Sequence, residues 1–248
     1  MNGIEIKVIE TNEVYHTWKD WELILAEKPD VNFPAVKTNY IDLPGGNGQI
    51  DLTESLTDDV KYKNRTGSFV FTKIGNRENW NNFKSSIANF LHGKKLKIIL
   101  DEDLSFYYVG RLSINDWKSD KKTGQLTLDY DLDPYKYERT TSAEDWEWDT
   151  FNFEMGVIRE WTEIPVLPDT NLVLIGCRKP IVPTITVVSS DNHGLQMYGR
   201  YGRKNTEKIF VLRDGTYKNP QFVIWEGVNS WENYSTGTIT IDYRGASL

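Results

Sequence analysis

Short runs in which every second residue is apolar recur from one end of this chain to the other, and they set the fold class. In QLTLDYDL, residues 125–132, Leu126, Leu128, Tyr130 and Leu132 share one side, with Gln125, Thr127, Asp129 and Asp131 on the other. A period of two puts successive side chains on opposite faces of an extended strand. The pattern returns in IEIKVIE (4–10), TGSFVFTKI (66–74), KLKIIL (95–100) and FYYVGRLSI (106–114). Strand-like runs continue in LVLIG (172–176), TITVVSS (184–190), LQMYGRYG (195–202), EKIFVLR (207–213), QFVIWEG (221–227) and GTITIDY (237–243). Turn clusters such as SSDNHG and RDGTYKNP separate these later runs at intervals of roughly eight to twelve residues, the spacing of a sandwich or barrel. Aromatic residues make up 13% of the chain, which suits half-buried pleated surfaces. The chain reads as mainly β.

One segment breaks the rule. In NRENWNNFKSSIANFLH (76–92), Trp80, Phe83, Ile87, Phe90 and Leu91 fall at helical spacing and form one apolar stripe. Asn76 and Asn79 supply capping oxygens and Gly93 a stop. The stripe predicts a helix laid on a sheet. WELILAEKPDV (21–31) reads as a further strand or strand-turn ended by a Lys-Pro-Asp turn. FYYVGRLSI and QLTLDYDL, joined by the polar DWKSDKKTG (116–124), read as a long β-hairpin. Charge rises and the pattern loosens through DPYKYERTTSAEDWEWD (133–149). A domain boundary is expected there, giving domains of residues 1–137 and 138–248, each long enough for its own core.

Charge and composition exclude several classes. At net charge −7 the chain lacks the basic face that phosphate neutralisation demands, so specific nucleic-acid binding is not expected. The basic run KKLK (94–97) reads as a solvated strand face. A single cysteine, Cys177 in LVLIGC, rules out an internal disulfide and reads as a buried, inert thiol. The opening MNGIEIKVIE has no signal-like apolar core, and no window reaches the length of a membrane span, so a protein made in a cytoplasm and staying in solution is expected. The three histidines, His16, His92 and His193, are scattered, and no CxxC or HxxxH spacing occurs. LDEDLS (100–105) and DYDLDP (129–134) miss the calcium-loop pattern. With no GxSxG or Cys-His signature, no catalytic, cofactor-binding or metal-binding residues are assigned, and the chain is read as a non-enzyme.

Two features remain. The loop PGGNG, with Pro44, Gly45, Gly46 and Gly48, lacks the lysine and following helix of a phosphate cradle, so it reads as a tight turn between strands. The aromatic stretches EDWEWDTFNFEMGVIREW (144–161) and VIWEGVNSWENY (223–234) carry Trp146, Trp148, Trp161, Trp225 and Trp231. Such rings either pack inward or form a platform on which sugars stack, and Trp148, Trp225 and Trp231 are the candidates for the platform.

The segment LPGGNGQIDLTESLTDDVKYKNRTGSFVF (43–71) resembles the opening of the siphophage distal tail (Dit) proteins. There a P-G-x-x-G-x-x-D-L-T element precedes Y-x-x-R and an aromatic strand, matched here by Pro44, Gly45, Gly48, Asp51, Leu52, Thr53, Tyr62 and Arg65. FLHGKKLKIILDED, YYVGRL and LDYDLDPYKY continue in the family's order, so the resemblance spans residues 1–137, with a looser fit near GTITIDYRG. It implies two β-sandwich-like domains, the first bearing the helix and hairpin, the second galectin-like or carbohydrate-module-like. It also implies a structural protein of the virion tail tip, made in the bacterial host cytoplasm. Copies would form a homohexameric ring, leaving a channel for DNA and joining the tail tube to a tail-associated lysin, tail-fibre or receptor-binding protein of the baseplate. On that reading Pro44, Gly45, Gly46 and Gly48 lie at or near a protomer contact, and the 106–132 hairpin is a second candidate. The alternative is a carbohydrate-binding module that recognises host surface glycans.

Overall fold

A computed structural model of the chain describes residues 3–75, 79–145, 158–190, 193–201 and 206–248. Contacts divide the chain into two compact units, residues 1–136 with Leu248, and residues 137–247.

The first unit contains strands β1 (Ile4–Val8), β2 (Val14–His16), β3 (Ile24–Leu25), β4 (Tyr40–Asp42), β5 (Gln49–Asp51) and β6 (Arg65–Ile74). Helix α1 (Trp80–Leu91) follows, then β7 (Lys95–Leu100), β8 (Phe106–Ser119) and β9 (Thr123–Leu132). The main sheet runs β2-β1-β7-β8-β9-β6-β3, and every pair along this path is antiparallel. Alternation in the sequence becomes alternation in burial: Leu126, Leu128, Tyr130 and Leu132 of β9 join Phe69, Phe71, Ile4, Ile6, Leu96 and Ile98 in one core. Helix α1 closes that core with Ile87 and Leu91, while Phe83 and Phe90 pack at its margin. Asn79 is the N-cap but its side chain makes no capping hydrogen bond, and Asn76 lies outside the described residues. The C-terminal end is held better: the Gly93 amide donates to the Leu112 carbonyl and the Ile114 amide to His92 Nδ1, fastening the helix end to β8.

The hairpin is longer than its alternation suggests. DWKSDKKTG is mostly strand, and only residues 120–122 turn, where Asp120 Oδ1 accepts the amides of Lys122 and Thr123 at 2.7 Å. Those hydrogen bonds hold the Asp120 carboxyl below its ordinary pKa. A register shift between Ile114 and Asp116 breaks the period of two, which is why the outer half reads as polar loop. Conversely, WELILAEKPDV yields only the two-residue β3.

The second unit begins where β10 (Lys136–Glu138) pairs with β19 (Ala246–Ser247). Between them lie β11 (Ile164–Val166), β12 (Asn171–Gly176), β13 (Thr184–Ser189), β14 (Leu195–Tyr201) and β15 (Thr206–Leu212). They are followed by β16 (Gly215–Lys218), β17 (Gly227–Asn233) and β18 (Gly237–Asp242). Two antiparallel sheets, β11-β18-β13-β16 and β12-β17-β14-β15, point their buried faces into one core, the arrangement of a β-sandwich. Val166, Ile185, Val187, Ile239 and Ile241 come from the first sheet, and Leu172, Leu174, Leu195, Met197, Phe210, Leu212 and Trp231 from the second.

QFVIWEG is not a strand. Phe222 and Ile224 are buried, but Asn229 staples the chain into a bend: its Oδ1 accepts the Trp225 amide, and its Nδ2 donates to the Trp225 and Gly227 carbonyls. The strand lies just beyond, as β17. RDGTYKNP, which reads as a turn, contains β16.

Buried polar groups tie the ends of this unit together. Arg159 pairs with Glu138 and lies 5.6 Å from the centre of the Tyr243 ring, while Arg244 donates to the carbonyls of Glu138 and Arg139. Cys177 is half-buried, its sulfur 3.1 Å from the Ala246 amide, and burial pushes its thiol pKa up. Among the described residues no helix is long and apolar enough to cross a membrane.

Candidate functional site

Between β3 and β6 the chain runs off the main sheet, and the residues from Asn32 to Arg65, where the sheet resumes, form an arm. Its base is fixed by Arg65, only 2% exposed, whose Nε donates to the Pro134 carbonyl and whose NH1 donates to the Asn32 carbonyl. The guanidinium sits between the rings of Tyr108 and Phe33, 5.5 and 5.8 Å from their centres. Burial pulls the Arg65 pKa below its ordinary value and drives the Tyr108 phenol up to about 12.

From that base the two strands of the arm run antiparallel. Val36 bridges Tyr62, the Lys37 amide donates to the Lys61 carbonyl, and the Lys63 amide donates to the Ala35 carbonyl. Further out, β4 pairs with β5 as Tyr40 with Asp51, Ile41 with Ile50 and Asp42 with Gln49. The Asp51 side chain accepts the Thr53 amide at 2.9 Å, and Thr53 Oγ1 accepts the Asn39 amide at 3.1 Å. Hydrogen bonding to Thr53, through its side chain and then its amide, holds the Asp51 carboxyl below its ordinary pKa. The tip is PGGNG. Gly45 and Gly48 adopt φ of +77° and +81°, conformations that L side chains resist, and a Cβ at either would meet nothing within 4 Å. The tip therefore needs glycine for its backbone angles, not for space.

The arm is apolar without being buried. Phe33 and Leu56 are 82% and 93% exposed, and Val36, Tyr40, Ile41, Leu43 and Ile50 are also exposed. A two-stranded ribbon has no second layer to cover its faces and is marginal alone. Clustered exposed apolar side chains mark contact surfaces. The structure thus gathers Pro44, Gly45, Gly46 and Gly48 at the tip of an extended ribbon with exposed apolar side chains.

The sugar-platform tryptophans fare differently. Trp231 is fully buried in the second core, its ring centre 4.7 Å from that of Phe222, so stacking on an external sugar is closed to it. An inward-facing position on β17 explains this: Asn229, Trp231 and Asn233 all point to the buried side. Trp225 is half-buried, with the Arg200 guanidinium 5.8 Å from its ring centre. Trp148 lies outside the described residues, as does Trp146. Trp161 packs against the second core. Among the described residues no three His, Cys, Asp or Glu side chains gather closely enough to hold a metal ion.

No family model matches the chain. Nor does a curated protein match it. Among solved structures, the crystal structure of the Dit protein (gp 19.1) of phage SPP1 superposes at a TM-score of 0.62, covering 99% of this chain and 99% of that one, at 11% identity. The chain has the fold of SPP1 Dit. SPP1 Dit is described as a paradigm of the hub adsorption apparatus in phages that infect Gram-positive bacteria. The similarity to SPP1 Dit runs through both units, including the second, where the sequence resemblance to the distal tail proteins is loose.

Sequence reasoning singled out the tip glycines but gave Arg65 no role beyond its place in a motif. Its signal was present: a lone arginine opening an aromatic strand, two positions before Gly67.

Proposed function

We propose that this chain is a structural component of a phage tail tip, a distal tail protein whose copies close into a hexameric hub. The ring would join the tail tube to the lysin, fibre or receptor-binding proteins that engage the host. The observation that carries this reading is end-to-end similarity to SPP1 Dit, over 99% of both chains. A shared fold admits many functions, so the exposed arm supplies the second support. Closed rings use heterologous contacts, in which one surface of a protomer meets a different surface of the next. An apolar ribbon projecting from the main sheet is suited to such a contact, and its motif residues Asp51, Thr53 and Arg65 brace it from within.

Negative-stain images of the purified full chain test the reading. Rings with a central opening are expected; dispersed single particles, also in the presence of tail-tube protein, would overturn it. The alternative of a sugar-binding tryptophan platform keeps only Trp225 among the described candidates, and no specific observation favours it.

A further inference from the structure

Strand order in the first sheet of the second unit sets three polar residues in one row. Thr184 on β13 is the register partner of Asp242 on β18 and of Lys218 on β16, so the three side chains share a face. Their chain neighbours Ile185, Ile241 and Tyr217 take the opposite, inward face, so the row looks outward. It forms a wall of a cavity of about 390 Å³, which is also lined by Tyr137, Lys179 and Arg244.

The polar groups of this cavity are unevenly satisfied. Lys179 Nζ donates to the Tyr137 hydroxyl at 3.0 Å and lies 4.7 Å from the centre of its ring, while Arg244 is engaged with backbone carbonyls and lies 3.9 Å from the Glu144 carboxylate. Lys218 has no carboxylate or hydroxyl partner among the described residues. Asp242 Oδ1 is covered by its surroundings and accepts no hydrogen bond there. A carboxylate oxygen without a donor is costly, and Asp242 is one of the residues that line the cavity. The cavity therefore presents Lys218, Lys179 and Arg244 to an anionic group, together with the Asp242 carboxylate, the Thr184 hydroxyl and the rings of Tyr137 and Tyr243. Against Asp242 and the Glu144 that pairs with Arg244, these three cations leave one positive charge in excess, in a chain of net charge −7.

We propose that this cavity is a binding site for an anionic polyol, a hydroxylated unit bearing a phosphate or carboxylate. The anion sits by Lys218 and Lys179, and a hydroxyl donates to Asp242. The site rests on the geometry of the second unit alone and stands whether or not the chain forms a ring.

Titration of the full, isotope-labelled chain with glycerol 3-phosphate and with glucuronate, followed by amide NMR, tests it. Glycerol, glucose and inorganic phosphate are the controls. Saturable shifts around Thr184, Lys218 and Asp242 are expected with one or both anionic polyols, and the two arms tell a phosphate-bearing ligand from a carboxylate-bearing one. Lys218→Gln should weaken the binding about tenfold or more, Lys218→Arg should retain it, and Asp242→Asn should weaken it too. Because Lys218 is exposed, the remaining resonances report that the Gln variant is folded. No shifts with either anionic polyol, equal binding of inorganic phosphate, or unchanged binding in folded Lys218→Gln would each overturn the proposal.

Discussion

Single side chains anchor both ends of the first unit's architecture. Arg65 is buried with no carboxylate paired to it among the described residues; two carbonyls and two aromatic rings face its guanidinium. Arg65→Ala leaves the Asn32 and Pro134 carbonyls without that donor and should cost about 2–3 kcal/mol in chemical denaturation. Unchanged stability would remove Arg65 as the brace of the arm. At the far edge of the sheet, His16 Nδ1 faces the amides of Trp18 and Lys19, which assigns the proton to Nε2, and Nε2 donates to Asp101 Oδ1 at 3.0 Å. The Gly3 amide donates to Oδ2 of the same carboxylate at 2.7 Å. Burial works to raise the Asp101 pKa, but the hydrogen bonds from His16 and Gly3 outweigh it and the pKa is lowered from 3.8. A depressed folded pKa contributes stability above the unfolded value, and that stability is lost as pH falls through the folded one. Asp101→Asn should therefore melt at a lower temperature than the parent at neutral pH. The gap between the two melting curves should shrink below a pH of about 3.8; a gap that widens in acid would contradict the assignment.

At the scale of elements, glycine and tryptophan positions separate the arm from the cores. Gly45→Val and Gly48→Val place a β-branched residue at positive φ, a local cost of about 1–2 kcal/mol confined to an exposed tip. The melting temperature should move little while ring formation falls; wild-type rings from both variants would remove the tip from the contact. Trp231→Ala, by contrast, empties a fully buried site and should cost about 3–5 kcal/mol, with half-buried Trp225→Ala costing less. The sequence announces elements wherever one period persists, as in β9, β7, β18 and the stripe of α1. It misleads where a local hydrogen bond overrides the period. Asn229 bends QFVIWEG away from the sheet, and the shift at Asp116 disguises the outer half of β8 as a loop. Short partners such as β2, β11 and β16 are set by their neighbours' register, which no local window carries. The arm tip was legible because positive φ demands glycine. The polar row of Thr184, Lys218 and Asp242 was not, since strand order alone brings those residues together.

At the scale of the whole molecule, both units match a phage hub protein from end to end, and the first also holds out an apolar arm that its own core does not cover. The proposed ring would join these facts, because in it a neighbouring copy would provide the missing second layer for the ribbon. Native mass spectrometry of the full chain, beside a variant with Tyr40, Ile41, Leu43 and Ile50 changed to Ser, tests that union most directly. The wild type should give about six times the 28.8 kDa chain mass. The variant should give the single-chain mass with an unchanged circular dichroism spectrum. A wild type found only as single chains, or a variant that still assembles as the wild type does, would contradict the account.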